Sequence, residues 1–338
     1  MGRQVYDRFR SAPADEEIVV TRTIEVLHVG SASRDLTSDD PRGWRLGGGV
    51  TYAALTTARL GLRTAALIGV DAEGATADEL DLLRSAGVDL VLERLGEAPV
   101  FDNQETPGGR VQVCHAVGER LAVRDVPPEW REARAWSVVP VAGEIDDTWA
   151  DAVPNGAYLT LGWQGFLRDL SAGERVSRRP PAASALLGRA DLVGVSHHDL
   201  DFGTSIATLA GFLRPGADLL ITEGQAGGLF VRVGEEGARD AYRYLPTATD
   251  RETDPTGAGD TFLAALLASV LRPAIVGRDR SRRSPDLRFA AAAGSLAVEG
   301  PGLSAVPDRG AVLVRRARER VRRAVVPSEV SQVGAVEG

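Results

Sequence analysis

Two aspartates six residues apart, Asp254 and Asp260, bracket the run Pro255-Thr256-Gly257-Ala258-Gly259. The chain then runs directly into Thr261-Phe262-Leu263-Ala264-Ala265-Leu266-Leu267, a strong helix former that is apolar on most of its surface. Small residues at such a turn let backbone N–H groups converge on one point, where the helix N-terminus adds partial positive charge. That is an anion hole suited to a transferring phosphoryl group, each well-aimed donor being worth about 3 kcal/mol in a transition state. A carboxylate at its lip can take the proton of an attacking hydroxyl, typically a factor of about 10² to 10⁴. Taken alone, Asp260 also reads as an ordinary helix N-cap. The glycines and the second aspartate favour phosphoryl transfer, in which positioning and electrostatics carry most of the rate.

Composition narrows the chemistry. All 39 basic residues are arginine, which removes the lysine of a P-loop, of a protein kinase and of Schiff-base catalysis. A net charge of -8 argues against a nucleic-acid partner. The single cysteine, Cys114, excludes an internal disulfide and a cysteine zinc cage, and its alternating surroundings read as a packed strand. His197 and His198 are adjacent and lack metal-ligand spacing. No long apolar run points to a membrane or to secretion, so a cytoplasmic protein is expected. No G-x-G-x-x-G follows the first strand, which counts against a dinucleotide-binding dehydrogenase.

The elements that must hold this turn alternate in type. Strands are predicted at Ile24–Val29, Thr64–Ile68, Ala157–Leu161, Leu192–Val195, Leu219–Thr222 and Gly228–Val233. Helices are predicted at Val50–Leu60, Thr76–Ser85, Ser205–Leu213, Thr261–Leu271, Leu287–Val298 and Ala311–Val321. This pattern predicts βαβ units and a mostly parallel sheet. Two alternating runs between Val100 and Val123 flank Thr106-Pro107-Gly108-Gly109 and read as a hairpin. Residues 1–17 read as a flexible extension, 18–326 as one domain and 327–338 as a tail.

The Asp254–Asp260 segment resembles the C-terminal signature of the ribokinase-like (PfkB) carbohydrate kinases, aspartate-threonine-x-glycine-alanine-glycine-aspartate, with Pro255 in the threonine position. The resemblance runs from about Val26 to Pro307. It implies a three-layer α/β sandwich with a mostly parallel central sheet and a small β lid, built from segments near 31–47 and 98–123. It implies ATP-dependent phosphorylation of a hydroxyl on a sugar, polyol or nucleoside, with Asp260 as base and Gly257, Ala258 and Gly259 as the anion hole. Asp254 and Thr256 would lie beside a monovalent cation, usually potassium, faced by the loop from Glu299 to Gly302.

Other segments match with less specificity. Gly30-Ser31 followed by Asp35 resembles the family's first strand, whose aspartate holds substrate hydroxyls; its plain alternative is a loop aspartate. Gly47-Gly48 resembles the diglycine against which substrate lies. Tyr52 stands where the family usually has asparagine, and reads equally as a substrate-facing ring or a core aromatic. Thr222, Gly224 and Gly227 fall in a turn that lies along the nucleotide in the family; the same residues also read as a simple hairpin. Ser196 and Asp199 replace the family's asparagine and glutamate near the Mg2+–phosphate region. Val141-Ala142-Gly143-Glu144-Ile145 and Gln164-Gly165-Phe166-Leu167-Arg168 resemble the inositol-kinase branch, with Arg168 a substrate-binding candidate. Phe101, Asn103 and Arg110 are lid candidates, and lid strands in this family also pair subunits into homodimers. The departures at Ser196, Asp199 and Tyr52 leave a second expectation open: a non-catalytic ligand-binding or regulatory protein that keeps the kinase fold.

Overall fold

The computed structural model describes residues 23–106, 109–201, 203–277, 284–318 and 324–325. The predicted extension at 1–17, the tail at 327–338 and the hairpin tip at Pro107 and Gly108 lie outside the described residues.

A ten-stranded sheet forms the middle of the molecule. Seven of its strands, Asp89–Arg94, Thr64–Val70, Val26–Ser31, Ala135–Val138, Tyr158–Gly162, Leu192–Ser196 and Asp218–Thr222, lie side by side and parallel in that spatial order. Gly228–Gly234, Gly237–Tyr244 and Ala324–Val325 then extend the sheet antiparallel. The turn between Thr222 and Gly228 is therefore a hairpin at the sheet's antiparallel end.

Strand alternation divides the core into layers. Val29, Leu67, Trp136 and Val193 point to one face, where they meet Trp149, Leu186 and Leu209. Neighbouring strand residues such as Val26, Leu192 and Leu220 point to the other, against the helices Ala258–Leu271 and Leu287–Ala297. The helix Gly49–Arg59 completes that second layer with Val50, Ala54 and Leu55. Most predicted elements appear within a few residues of their expected ends. The helix expected at Ser205–Leu213 is shorter, Ile206–Ala210, and the one expected at Thr76–Ser85 begins as a separate turn before Glu79–Ser85.

A second sheet of five strands stands apart, in the order Glu174–Arg175, Gly109–Ala116, Val100–Thr106, Ser33–Leu36, Trp44–Gly47. The two segments expected to form the lid fall in it, joined by a short strand at Glu174–Arg175 that periodicity did not mark. Cys114 is buried in this sheet, its thiol directed to the carbonyl of Ala116 at 3.3 Å.

Candidate active site

The helix Ala258–Leu271 buries every residue from Thr261 to Val270, so its first turn is fixed in place. Gly257 precedes it as the cap residue at φ +74°, in the left-handed region. Any side chain there would be strained in backbone and would also meet the Tyr52 ring, which explains glycine at this position. Asp260 is not the N-cap that its sequence context allowed. It lies in the first turn of the helix, and its carboxylate points across to Gly49.

The amides of the turn divide into two kinds. The Ala258 N–H donates to the Pro255 carbonyl at a long 3.3 Å. Those of Gly257 and Gly259 have no acceptor among the described residues. These two can turn outward to an anion, and a phosphate oxygen could compete for the third.

Asp260 sits between charges of both signs. Burial is the largest influence on its carboxyl, the Asp199 carboxylate adds to it, and the Arg168 guanidinium opposes both; together they raise its pKa from 3.8 to about 6. Arg168 lies 3.6 Å from Asp199, and its guanidinium carbon is 5.9 Å from the centre of the Phe101 ring. Gln164 also donates to Asp199, at 3.4 Å. The second sheet thus touches the residues around Asp260 through Phe101 and Arg168.

Asp35 lies on the other side. Ser33 Oγ donates to it at 2.9 Å, and its carboxylate closes on Gly47, where a side chain has no room. Tyr52 is buried on the helix Gly49–Arg59, its ring against Gly257 and its hydroxyl near Gly302. Burial raises the Tyr52 phenol pKa well above its usual value, with contributions from Asp35, Asp254 and Asp260. Those three carboxylates therefore surround one phenol. Asp35, Gly47, Tyr52, Asp254, Gly257, Asp260 and Gly302 converge on a single place, with Arg168 and Asp199 on its far edge.

The remaining sequence candidates are more dispersed. Asp254 accepts from the Thr256 N–H at 2.9 Å and from the Gly302 N–H at 3.2 Å, tying the two loops directly. The Glu299 carboxylate is taken by Arg315 at 2.8 and 3.1 Å, and its carbonyl accepts from Arg251 and Thr253. Ser196 and Thr222 are register partners at the C-terminal ends of adjacent parallel strands, where the His197 Nδ1–H donates to the Thr222 carbonyl at 3.0 Å. Gly48 precedes the helix Gly49–Arg59 at φ +94°, and Gly224 and Gly227 shape the turn that follows Thr222. Asn103 accepts from Gln112 at 2.8 Å within the second sheet; the side chain of Arg110 lies outside the described residues.

Glu144 was quoted only as part of a resemblance, yet it is a buried anchor. Its carboxylate accepts from the N–H groups of Ser31 at 2.8 Å, Val141 at 3.1 Å and Ala142 at 2.9 Å. It joins the end of the first central strand to the loop after Val138. Burial still raises its pKa, the four hydrogen bonds from backbone opposing. A cavity of about 490 Å³ lies at the opposite, N-terminal end of the strands, lined by Arg134, Tyr158, Arg189, Asp191 and Arg214. Its arginines are engaged with Glu25, with backbone carbonyls and with Asp191, so it is separate from the cluster around Asp260.

Residues 174–309 match the pfkB family carbohydrate kinases. Fructokinase-1 of Zea mays is 29% identical over 135 residues, which is 37% of this chain and 39% of that protein. The chain thus matches about two fifths of the length of this curated relative. Solved structures agree over far more of the chain. A pyrophosphate-dependent kinase in the ribokinase family, complexed with a pyrophosphate analog and myo-inositol, has a TM-score of 0.61 at 19% identity, covering 85% of this chain and 98% of its own. The Arabidopsis thaliana ribokinase complexed with ribose and ATP has a TM-score of 0.58 at 18% identity, covering 87% and 99%. At these identities the likeness establishes the fold. The chain has the fold of the ribokinase family, and residues 174–309 match the pfkB family carbohydrate kinases.

Proposed function

We propose that the chain transfers a phosphoryl group from ATP to a hydroxyl of a small sugar, polyol or nucleoside. The observation that carries this reading is the placement of Asp260: a carboxylate raised to about pH 6, one residue beyond amides that have no acceptor, at the start of a buried helix. Asp260 accepts the proton of the attacking hydroxyl, and the outward amides of Gly257 and Gly259, with Ala258, meet the charge on the transferring group. Asp35 holds further hydroxyls, since an ionised carboxylate accepts more than one hydrogen bond. Tyr52 supports the turn from below through its ring. Phe101 and Arg168 close one side against water.

Ser196, Thr222, Gly224 and Gly227 are the residues offered to the nucleotide. Among the described residues no cluster of three metal-ligating side chains exists. Mg2+ usually binds through one or two carboxylates plus substrate phosphates and keeps its waters. Asp199, beside Arg168 and Gln164, would be the carboxylate to hold it, and the metal would neutralise charge on the phosphates. A monovalent cation, potassium, would sit between the Asp254–Thr256 turn and the loop at Gly302. Glu299 does not fit as its ligand, because both its carboxylate and its carbonyl are already engaged. A cytoplasmic location and a homodimer formed through the second sheet belong to the same reading. Among the described residues no helix is long and apolar enough to cross a membrane.

The test is release of ADP, or of phosphate from pyrophosphate, across a panel of sugars, polyols and nucleosides. Turnover with at least one acceptor is expected. Tight binding of an acceptor with no product from either donor would favour the non-catalytic alternative.

A further inference from the structure

Three arginines lie on the strand pair Ser33–Leu36 and Trp44–Gly47 or on the loop joining them. Arg34 pairs with Asp71 at 2.9 Å and with Glu73. Arg42 pairs with Asp40 at 3.0 Å and Glu79 at 2.6 Å, and lies over the Trp44 ring. Arg45 differs. It is half-buried, and among the described residues it makes neither an ion pair nor a hydrogen bond.

Its direction follows from strand alternation. Trp44 and Leu46 turn into the core, so Arg45 turns to the opposite face. On that face it stands directly across from Asp35, and Asp35 in turn pairs with Phe101, so Arg45, Asp35 and Phe101 form one row across the second sheet. The Arg45 Cδ is 3.7 Å from where a methyl on Gly302 would be. Its charge is felt at the Tyr52 phenol, where it opposes Asp35, Asp254 and Asp260. Arg45 therefore borders the same place as the proposed catalytic carboxylate, on the acceptor side marked by Asp35.

A half-buried guanidinium without a hydrogen bond or ion pair gives up hydration and keeps only the longer-range attraction of carboxylates such as Asp40. Carboxylates surround the nearby phenol, yet none is within ion-pair distance of Arg45. The arrangement makes sense when the partner arrives from outside. Guanidinium geometry suits a planar or tetrahedral oxyanion held through two parallel hydrogen bonds. Directly opposed residues of an antiparallel pair stand about 5 Å apart. Asp35 and Arg45 can thus receive a hydroxyl and an anionic group on neighbouring parts of one molecule.

We propose that Arg45 binds a phosphate or carboxylate carried by the acceptor, so that the preferred substrate is an anionic polyhydroxy compound, not a neutral sugar. This rests on the kinase reading above and narrows it.

The experiment compares matched pairs of acceptors: fructose with fructose 6-phosphate, and glucitol with gluconate, each assayed by ADP release from ATP. Wild-type protein is expected to prefer the charged member of at least one pair by about 10- to 100-fold in kcat/KM, the range of a hydrogen bond to a charged group. The pair that shows the preference distinguishes phosphate from carboxylate. Arg45→Gln is expected to abolish the preference, mainly through KM, and Arg45→Lys to retain part of it. A role in folding alone would not change the ratio within a pair. Should Arg45→Gln fold poorly, protection of the wild-type protein against thermal unfolding by the charged acceptor, and not by its neutral partner, reads the same contact. Equal turnover of both members, or a preference that survives in Arg45→Gln, overturns the inference and leaves the kinase reading intact. Absence of ADP with every acceptor overturns both.

Discussion

A methyl group on Gly49 would stand 2.8 Å from Oδ1 of Asp260. The two residues belong to different helices, and their approach puts the carboxylate against bare backbone at the start of Gly49–Arg59. Gly49→Ala should therefore displace Asp260 without disturbing the core. Because a misplacement of about 1 Å can cost 10²-fold, kcat is expected to fall by about that factor. The melting temperature should change by only a few degrees, since alanine is otherwise favoured in a helix. Unchanged kcat would mean that the Asp260 position is not critical.

Asp260 is held at a cost. Its pKa is raised to about 6 in the folded chain, against 3.8 when unfolded. Both forms are protonated below pH 3.8, so the penalty is absent there; it grows as pH rises and is complete above 6. The shift corresponds to at most about 3 kcal/mol, and water in a partly open site reduces it to about 1–2 kcal/mol. Asp260→Asn removes the charge, so it should melt higher than wild type at pH 7.5 and at the same temperature near pH 3. Calorimetry at the two pH values checks this.

Arg168 and Asp199 act on Asp260 with opposite signs. A base works only when ionised, so activity should rise with pH through about 6 and then level off. Arg168→Met removes a stabilising cation and should move that rise to higher pH. Asp199→Asn removes a repelling anion and should move it lower, apart from any loss in kcat through weaker Mg2+ binding. The pH dependence of kcat/KM for the three proteins decides the matter, and shifts in the same direction would contradict this electrostatic arrangement.

Glu144→Gln should destabilise the fold by about 1–3 kcal/mol. Glutamine offers one carbonyl oxygen where the carboxylate offers two, and its NH2 group would face N–H donors from Ser31, Val141 and Ala142. Urea denaturation at pH 7 measures the difference. Asp35 follows shortly after Ser31 in the chain, so a rise in KM for the acceptor is expected with it.

The glycine turn at Gly257–Gly259 was the most legible part of the sequence, because glycine spacing and an apolar helix after it leave few other conformations. The parallel sheet was legible for a similar reason: buried strands such as Thr64–Val70 read as continuous apolar runs. The far antiparallel edge was not, since a strand such as Gly237–Tyr244 has only one buried residue and carries no apolar pattern. Arg168 and Asp199 could be named, but their 3.6 Å contact joins residues 31 positions apart and follows from tertiary packing alone. Arg45 was missed although a signal existed, a lone charge between Trp44 and Leu46 just ahead of the diglycine. Glu299 illustrates the opposite limit. Its place beside the Asp254 loop was expected, but nothing local foretold that Arg315 would take its carboxylate.

The central claim is that Asp260 activates a hydroxyl for phosphoryl transfer. Its most direct test is a single-turnover experiment with excess protein, ATP, Mg2+ and an accepted substrate, the phosphorylated acceptor being quantified by mass spectrometry. Wild-type protein is expected to convert the acceptor, and Asp260→Asn to bind ATP equally well but form product at least about 10² times more slowly. Product formation by Asp260→Asn at the wild-type rate would contradict the account.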